Sequence, residues 1–443
     1  MSDLLIRNCN VLNITIDQRA FILRDHDILI HGNRIESVQP TGQADSSHFK
    51  HVIEANGQLA MPGLINTHAH VPMVIFRGLA EDVTIEKWFN DYMWPLESNL
   101  QPEDVYWGMQ LGLAEMIRAG VTAVADHYFF MDEAAKAVEK AGTRALLGWA
   151  IFGSGGQEMI DRTVRFVKDW QGTAGGRIRT LMAPHSPYLC DDDFLRTCVK
   201  EAKALGVGIH THVSEVMAQT ESSLQKRGQT PIQVLEQTGV FEVPTILAHV
   251  IGALPMDMPI MAKYKAGVGH APKTYLKLAM GTSPVRMFRG HGIAVGLATD
   301  GAVSNNTLDI LESLRLMAMT QKQEAGSPEV LTIPEALYIA TRESAQVYGQ
   351  PDELGALDPG NLADLILVDM SGVHHQPLHS MTASLVYNTT AADVRTTICD
   401  GQVLMHERKL LTLDEGEIIA RVGANMERLA QRVPNKRIQV YNP

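Results

Sequence analysis

Residues 61–70, MPGLINTHAH, decide how the rest of the chain is read. An apolar run of strand length ends there on two histidines two positions apart. Residues i and i+2 of a strand point to one side, so His68 and His70 can face a common axis. Seven further apolar runs follow that of residues 63–70: residues 121–126, 144–151, 178–183, 206–212, 245–249, 266–270 and 293–300. Helix-like stretches such as PEDVYWGMQLGLAEMIRAG and DDDFLRTCVKEAKALG lie between most of them. Strand alternating with helix in this way predicts an α/β chain whose parallel strands close into a (β/α)8 barrel.

Outward from that repeat the texture changes. The first sixty residues read as short strands and turns (LLIRNCNVL, DILIHGNRIESVQ, HVIEANGQLAMPG), and the same texture returns in DLILVDM and VRTTICDGQVLMHERKLLTLDE. These ends predict a small β-sandwich-like domain built from both termini, residues 1–60 and 351–443, around a barrel over 61–350. The segment EGEIIARVGANMERLAQRV reads as a closing amphipathic helix.

Composition narrows the class. The chain has 443 residues, 45% hydrophobic and 20% charged, the profile of a globular enzyme. A formal net charge of −12 argues against a nucleic-acid partner, which needs a basic face. No eighteen-residue apolar stretch predicts a membrane span, and the N-terminus lacks the layout of a signal peptide, so a cytoplasmic location is expected. Cys9, Cys190, Cys198 and Cys399 show no CxxC spacing, which argues against a disulfide framework and a cysteine-based zinc site. It also excludes the deaminase class marked by HxE followed by PCxxC. His374, His375 and His379 resemble a metal cluster but lie outside the barrel runs with no carboxylate nearby in sequence, and read as loop packing.

Barrels place their chemistry at the C-terminal ends of strands. His68 and His70 end the first run, His212 ends the fifth in HTHVSE, and Asp300 ends the eighth in ATDGAVSNN. Three neutral imidazoles and a carboxylate, with room for water, suit one divalent ion, zinc first and iron(II) second. Such an ion lowers the pKa of its water to roughly 7. Asp300 can take the proton of that water. Glu215, three positions beyond His212, faces substrate and can protonate a ring nitrogen and then a departing amine. His249, ending the sixth run, can steady the intermediate. Gly301 and Ser304-Asn305-Asn306 read as a turn and helix cap.

Together MPGLINTHAH, RGLAEDVTIEKWFNDYMWPLE, APHSPYLC, HTHVSE, LAHV, GHAPKTYLKLAMG, ATDGAVSNNTLD and GALDPGNLADLILVD resemble the amidohydrolase superfamily over nearly the whole chain, and in particular its deaminase branch. The resemblance makes His68, His70, His212 and Asp300 metal ligands, Glu215 the proton shuttle and His249 the group that orients the nucleophile. It is nearest in wording to the methylthioadenosine/S-adenosylhomocysteine deaminases. By it, Glu97 of WPLE contacts ribose hydroxyls and His185 of PHSPY lines the substrate pocket. Read without the resemblance, Glu97 is an exposed helix carboxylate.

Three departures bear on substrate. Arginines that hold an amino-acid carboxylate after strand three are replaced by Trp149 and Gln157 at the aligned positions. The usual HNPKSN has become His270-Ala271-Pro272-Lys273-Thr274-Tyr275. Asp126-His127 stands where the nearest group has Asp-Met, a pairing typical of deaminases of oxopurines and pterins, which brings His127 into the substrate-binding set. The expectation is a hydrolytic deaminase of a purine-like heteroaromatic, 5′-methylthioadenosine or adenosine type first. The alternatives are an oxopurine, pterin or aminotriazine deaminase or chlorohydrolase and, more remotely, a non-catalytic scaffold. Relatives of this kind form dimers or tetramers, so a homo-oligomer is expected. A binuclear site is disfavoured because no lysine ends the fourth run.

Overall fold

The computed structural model describes residues 3–431 and 438–441. Eight parallel strand positions form a ring: Leu64–His70, Val121–Tyr128, Arg144–Ile151, Ile178–Pro184, Gly208–Val213, Thr245–His249, Gly267–His270, and an eighth made of two short pieces, Val295–Leu297 and Asp300–Gly301. The eighth position closes the ring because its first piece pairs with the seventh strand (Val268 opposite Val295) and its second with the first strand (Asp300 opposite Ala69). Small residues make that closure possible. A Cβ built on Gly296 would lie 2.4 Å from Thr67 Cγ2, so only glycine lets the eighth strand approach the first beside the HxH pair.

Helices cover the ring, and their ends are set by local chemistry. Helix Asp192–Leu205 begins where the Asp191 side chain accepts the Phe194 N–H at 2.8 Å and stops at Gly206 in the left-handed region (φ 67°). Helix Pro102–Arg118 starts on a proline, its first turn closed by the Gln101 N–H donating to the Asp104 carboxylate at 2.8 Å.

Strands from both chain ends form one nine-stranded mixed sheet. The first two are longer than the sequence suggests, twelve residues each, Asp3–Ile14 and Ala20–His31. The ends meet where Leu365–Val368 runs antiparallel to Leu59–Pro62. Asp400 and Gly401 both have positive φ, as a two-residue turn joining Val394–Cys399 to Gln402–His406 requires. The sheet has its own apolar core, including Leu4, Ile6, Ile28, Ile30, Leu365 and Ile398. Barrel and sheet are joined by a buried ion pair: Arg144, opening the third barrel strand, donates to both oxygens of Asp364 at 3.0 Å and to Asp400 Oδ1 at 2.6 Å.

The closing helix covers Glu415–Ala424 and Met426–Leu429; Arg432 and Val433 of the expected span lie outside the described residues. All four cysteines are free and buried. Among the described residues no helix is long and apolar enough to cross a membrane.

Candidate active site

The C-terminal ends of the barrel strands bring His68, His70, His212, His249 and Asp300 into one buried cluster. Asp300 Oδ1 lies 3.5 Å from His68 Nε2 and 3.2 Å from His70 Nε2, and His70 Nε2 lies 3.3 Å from His212 Nε2. Three of the four imidazoles, those of His68, His70 and His212, are aimed by their Nδ1 atoms. His70 Nδ1 meets the His127 carbonyl and His212 Nδ1 meets the His185 carbonyl at 2.9 Å, which turns both Nε2 atoms toward the cluster; against its own burial, the Asp300 carboxylate holds the His70 pKa up at about 9. His68 Nδ1 meets His210 Nε2 at 2.9 Å. Burial drives the His68 pKa down to about 3 and the His212 pKa well below its ordinary value, so both rings are neutral. Burial opposes the charge on Asp300, but the imidazoles of His68, His70 and His249 around it prevail and hold its carboxyl well below the usual range.

These residues fit a metal ion. His68 Nε2 is fully buried without a hydrogen-bond partner, a costly arrangement unless another acceptor of its lone pair sits there. The donor atoms of His68, His70 and Asp300 lie within 4.8 Å of one another, as do those of His68, His212 and His249. His127 also comes within that range of His70 and His212. The donor set, imidazoles and one carboxylate, is that of an open site for zinc or iron(II).

The backbone is strained where the cluster is built. Ser214, His249, Val250 and Asp300 all have positive φ (48°, 75°, 54° and 65°). For a β-branched residue such as Val250 this is a genuine outlier, and such strain gathers at functional sites.

A cleft of about 610 Å³ opens on the cluster, lined by His70, His127, His185, His212, Glu215, His249, Asp300 and Glu97 among others. Its walls are aromatic and aliphatic: Trp88, Phe89, Trp94, Phe129, Phe152, Leu278 and Met280. Among the described residues no lysine or arginine lines it. Glu215 is held at two points, its N–H donating to Gln219 Oε1 at 2.8 Å and its carboxylate accepting the Tyr188 hydroxyl. Burial raises the Glu215 pKa against the pull of His249 and Tyr188. Asp300 Oδ2 accepts the Ser304 hydroxyl at 2.7 Å, leaving Oδ1 toward the cluster.

Several expectations change. Glu97 is buried, 6% exposed, rather than an exposed helix carboxylate. A π-helical turn over Trp88–Met93 leads into Trp94–Glu97, which carries the carboxylate to the cleft wall. Burial pushes its pKa up to about 7 against the pull of the Tyr128 hydroxyl and His70. Trp149 does not reach the cleft. Ala150 and Phe152 line it, so strand alternation turns Trp149 outward, edge-on to Phe166 and 4.4 Å beneath the Arg162 guanidinium. Gln157 bonds Asp161 one helical turn on and also lies away from the cleft. Ser304 supports Asp300 instead of capping; Asp309 caps the helix Ile310–Ala325. His374 and His375 do find a carboxylate, Asp393, at 3.1 and 3.5 Å. That oxygen already accepts two bonds from Thr390, and His375 Nδ1 bonds Ser384, so the group ties a loop together.

The sequence reading missed His210, although His210-Thr211-His212 repeats the period-two signal of His68-Ala69-His70. It also missed Tyr188, which sits inside the quoted APHSPYLC.

Residues 59–404 match the model of the amidohydrolase family. The chain is 41% identical over 435 residues (98% of this chain and 100% of the relative) to a 5-methylthioadenosine/S-adenosylhomocysteine deaminase of Pelotomaculum thermopropionicum. It is 40% identical to that of Carboxydothermus hydrogenoformans, over 94% and 95% of the two chains. Among solved structures it superposes on a zinc-bound adenosine deaminase of Xanthomonas campestris with TM-score 0.91 and 30% identity, covering 97% and 98% of the chains. It also superposes on a zinc-complexed atrazine chlorohydrolase of Arthrobacter aurescens TC1 with TM-score 0.88 and 25% identity, covering 96% and 100%.

Proposed function

This chain belongs to the amidohydrolase family, and from that premise we propose that it is a metal-dependent hydrolytic deaminase of 5′-methylthioadenosine and adenosine-type nucleosides. The observation that carries the substrate class is the composition of the cleft: an apolar wall, a carboxylate at Glu97 in addition to those of Glu215 and Asp300, and no lysine or arginine among the described lining residues. A purine nucleoside with a neutral thioether or hydroxyl at its 5′ end suits such a wall. The amino-acid carboxylate of S-adenosylhomocysteine would be desolvated there without a charge-assisted partner.

In the mechanism that follows, His68, His70, His212 and Asp300 hold the ion. When bound, it supplies Lewis acidity that makes water nucleophilic at neutral pH. Asp300, oriented by the Ser304 hydroxyl at Oδ2, presents its carboxylate to the cluster, where it can take the proton of the attacking water. Glu215, whose raised pKa favours the protonated form, donates to the ring nitrogen beside the attacked carbon. It then takes up the proton left on the added hydroxyl and delivers it to the amine, which leaves as ammonia as the carbonyl forms, and the water proton held by Asp300 restores Glu215. His249 faces the same carbon and steadies negative charge developing there. Glu97 accepts the ribose hydroxyls, and His127 and His185 line the base. Zinc is the ion this reading carries, supported by the two zinc-bound neighbours. A homo-oligomer, dimer or tetramer, and a cytoplasmic location belong to the same reading.

Asp126-His127 favours a second substrate class, oxopurines and pterins, because His127 lines the cleft. Ammonia release from 5′-methylthioadenosine, adenosine, S-adenosylhomocysteine, guanine, pterin and melamine tests both. The nucleoside reading expects turnover of the first two, with kcat/KM for S-adenosylhomocysteine lower by about tenfold or more for want of a charged partner. Release confined to guanine, pterin or melamine would overturn it.

A further inference from the structure

We propose that Tyr441, at the C-terminal end of the chain, is a positioning residue for Glu215 and for the aromatic wall of the cleft; this rests on the deaminase reading above. Three of its contacts lead to the site. Its hydroxyl accepts the Gln219 Nε2–H at 3.1 Å, and the other end of that same amide accepts the Glu215 N–H. Its ring stands edge-on to Tyr188, centroids 5.8 Å apart, and Tyr188 is the residue whose hydroxyl donates to the Glu215 carboxylate. On its other side the ring stacks flat on Phe89, centroids 5.0 Å apart and 12° between planes, and Phe89 lines the cleft.

The backbone around Tyr441 is held as firmly as the ring. Asn90 bonds both its N–H (2.9 Å) and its carbonyl (3.1 Å) through one side-chain amide, and two residues earlier Gln439 donates to Ser154 at 3.0 Å. Tyr441 itself is buried, 6% exposed. A short segment of C-terminal chain therefore ties together the loops after the first, third, fourth and fifth barrel strands. Tyr441 touches no group that reacts. It acts through Gln219 and Tyr188 on the orientation of Glu215, and through Phe89 on the shape of the wall.

Those two routes separate in kinetics. Tyr441→Phe keeps the ring and loses the acceptor for Gln219, so kcat for 5′-methylthioadenosine falls about two- to tenfold, the range of one neutral hydrogen bond, with KM unchanged. Tyr441→Ala also removes the ring, and KM rises by about tenfold as the Phe89 wall loosens. Hydrogen–deuterium exchange, read independently of turnover, should quicken over residues 88–97 and 214–219 in Tyr441→Ala and stay unchanged in the terminal sheet. Kinetic constants of Tyr441→Ala within about twofold of the parent, below the effect of one hydrogen bond, would overturn the proposal; so would unchanged exchange over those two segments. If the parent enzyme releases no ammonia from any nucleoside, the deaminase reading fails and the exchange measurement alone decides the role of Tyr441.

Discussion

At the scale of single residues, two carboxylates are set to opposite tasks by their surroundings. The proposed mechanism needs a protonated Glu215, and burial raises its pKa against the pull of His249 and of the hydrogen bonds to Tyr188 and Gln219. Glu215→Gln cannot carry that proton: kcat should fall by about 10²–10⁴ while one metal per chain, measured by elemental analysis, is kept. Turnover near the parent value would remove Glu215 from the mechanism. In the proposed reading Glu97 accepts ribose hydroxyls as a carboxylate, yet burial raises its pKa to about 7. The unfolded chain ionises this group near its ordinary value of 4.5, while the folded chain holds the proton until about 7. Between those values the native state binds more protons, so stability falls as pH rises and levels off above 7. Glu97→Gln removes this dependence. Its Tm should exceed that of the parent at pH 8 and the difference should shrink toward pH 5; a constant difference across that range would contradict the assignment. In the same window the KM of the parent for the nucleoside should fall with rising pH, and that of the variant should not.

At the scale of elements, strand parity decides which side chains reach the cleft. In Arg144–Ile151 and the residue beyond it, Ala150 and Phe152 face inward while Trp149 packs against Phe166 and Arg162. Reading the aligned position as a substrate contact put Trp149 on the wrong face, because a one-residue offset in a strand reverses every side chain. Trp149→Phe should therefore leave KM within about twofold and instead lower stability by about 1–3 kcal/mol, the cost of a reshaped core, seen in urea unfolding. A KM increase of about tenfold or more would return Trp149 to the cleft. The left-handed residues Ser214, His249, Val250 and Asp300 teach a related lesson. They occur where strands must stop abruptly so that a polar side chain can turn toward the axis. Nothing in the residue type of Val250 announces such a conformation.

At the scale of the whole molecule, the barrel is fastened to the terminal sheet by Arg144, Asp364 and Asp400, with Cys399 Sγ 3.4 Å from the same Asp364 carboxylate. Removing Arg144 leaves the buried Asp364 without its cation, while Asp400 keeps Arg177 at 4.0 Å. Arg144→Met should destabilise the fold by about 3–5 kcal/mol in equilibrium unfolding, and a loss below about 1 kcal/mol would mean that water, not Arg144, compensates those charges. The sequence by itself determined the eightfold strand–helix repeat and the sheet from both ends. It also singled out His68, His70, His212, Glu215, His249 and Asp300, because each depends on local periodicity or on a polar residue closing an apolar run. It could not place Glu97 or Trp149 correctly, since burial and facing depend on a π-helical turn and on strand register set by distant neighbours. Nor could it bring Asp393 to His374 and His375, or Tyr441 to Gln219 across 222 positions of sequence, because contacts of that separation exist only once the chain has closed on itself.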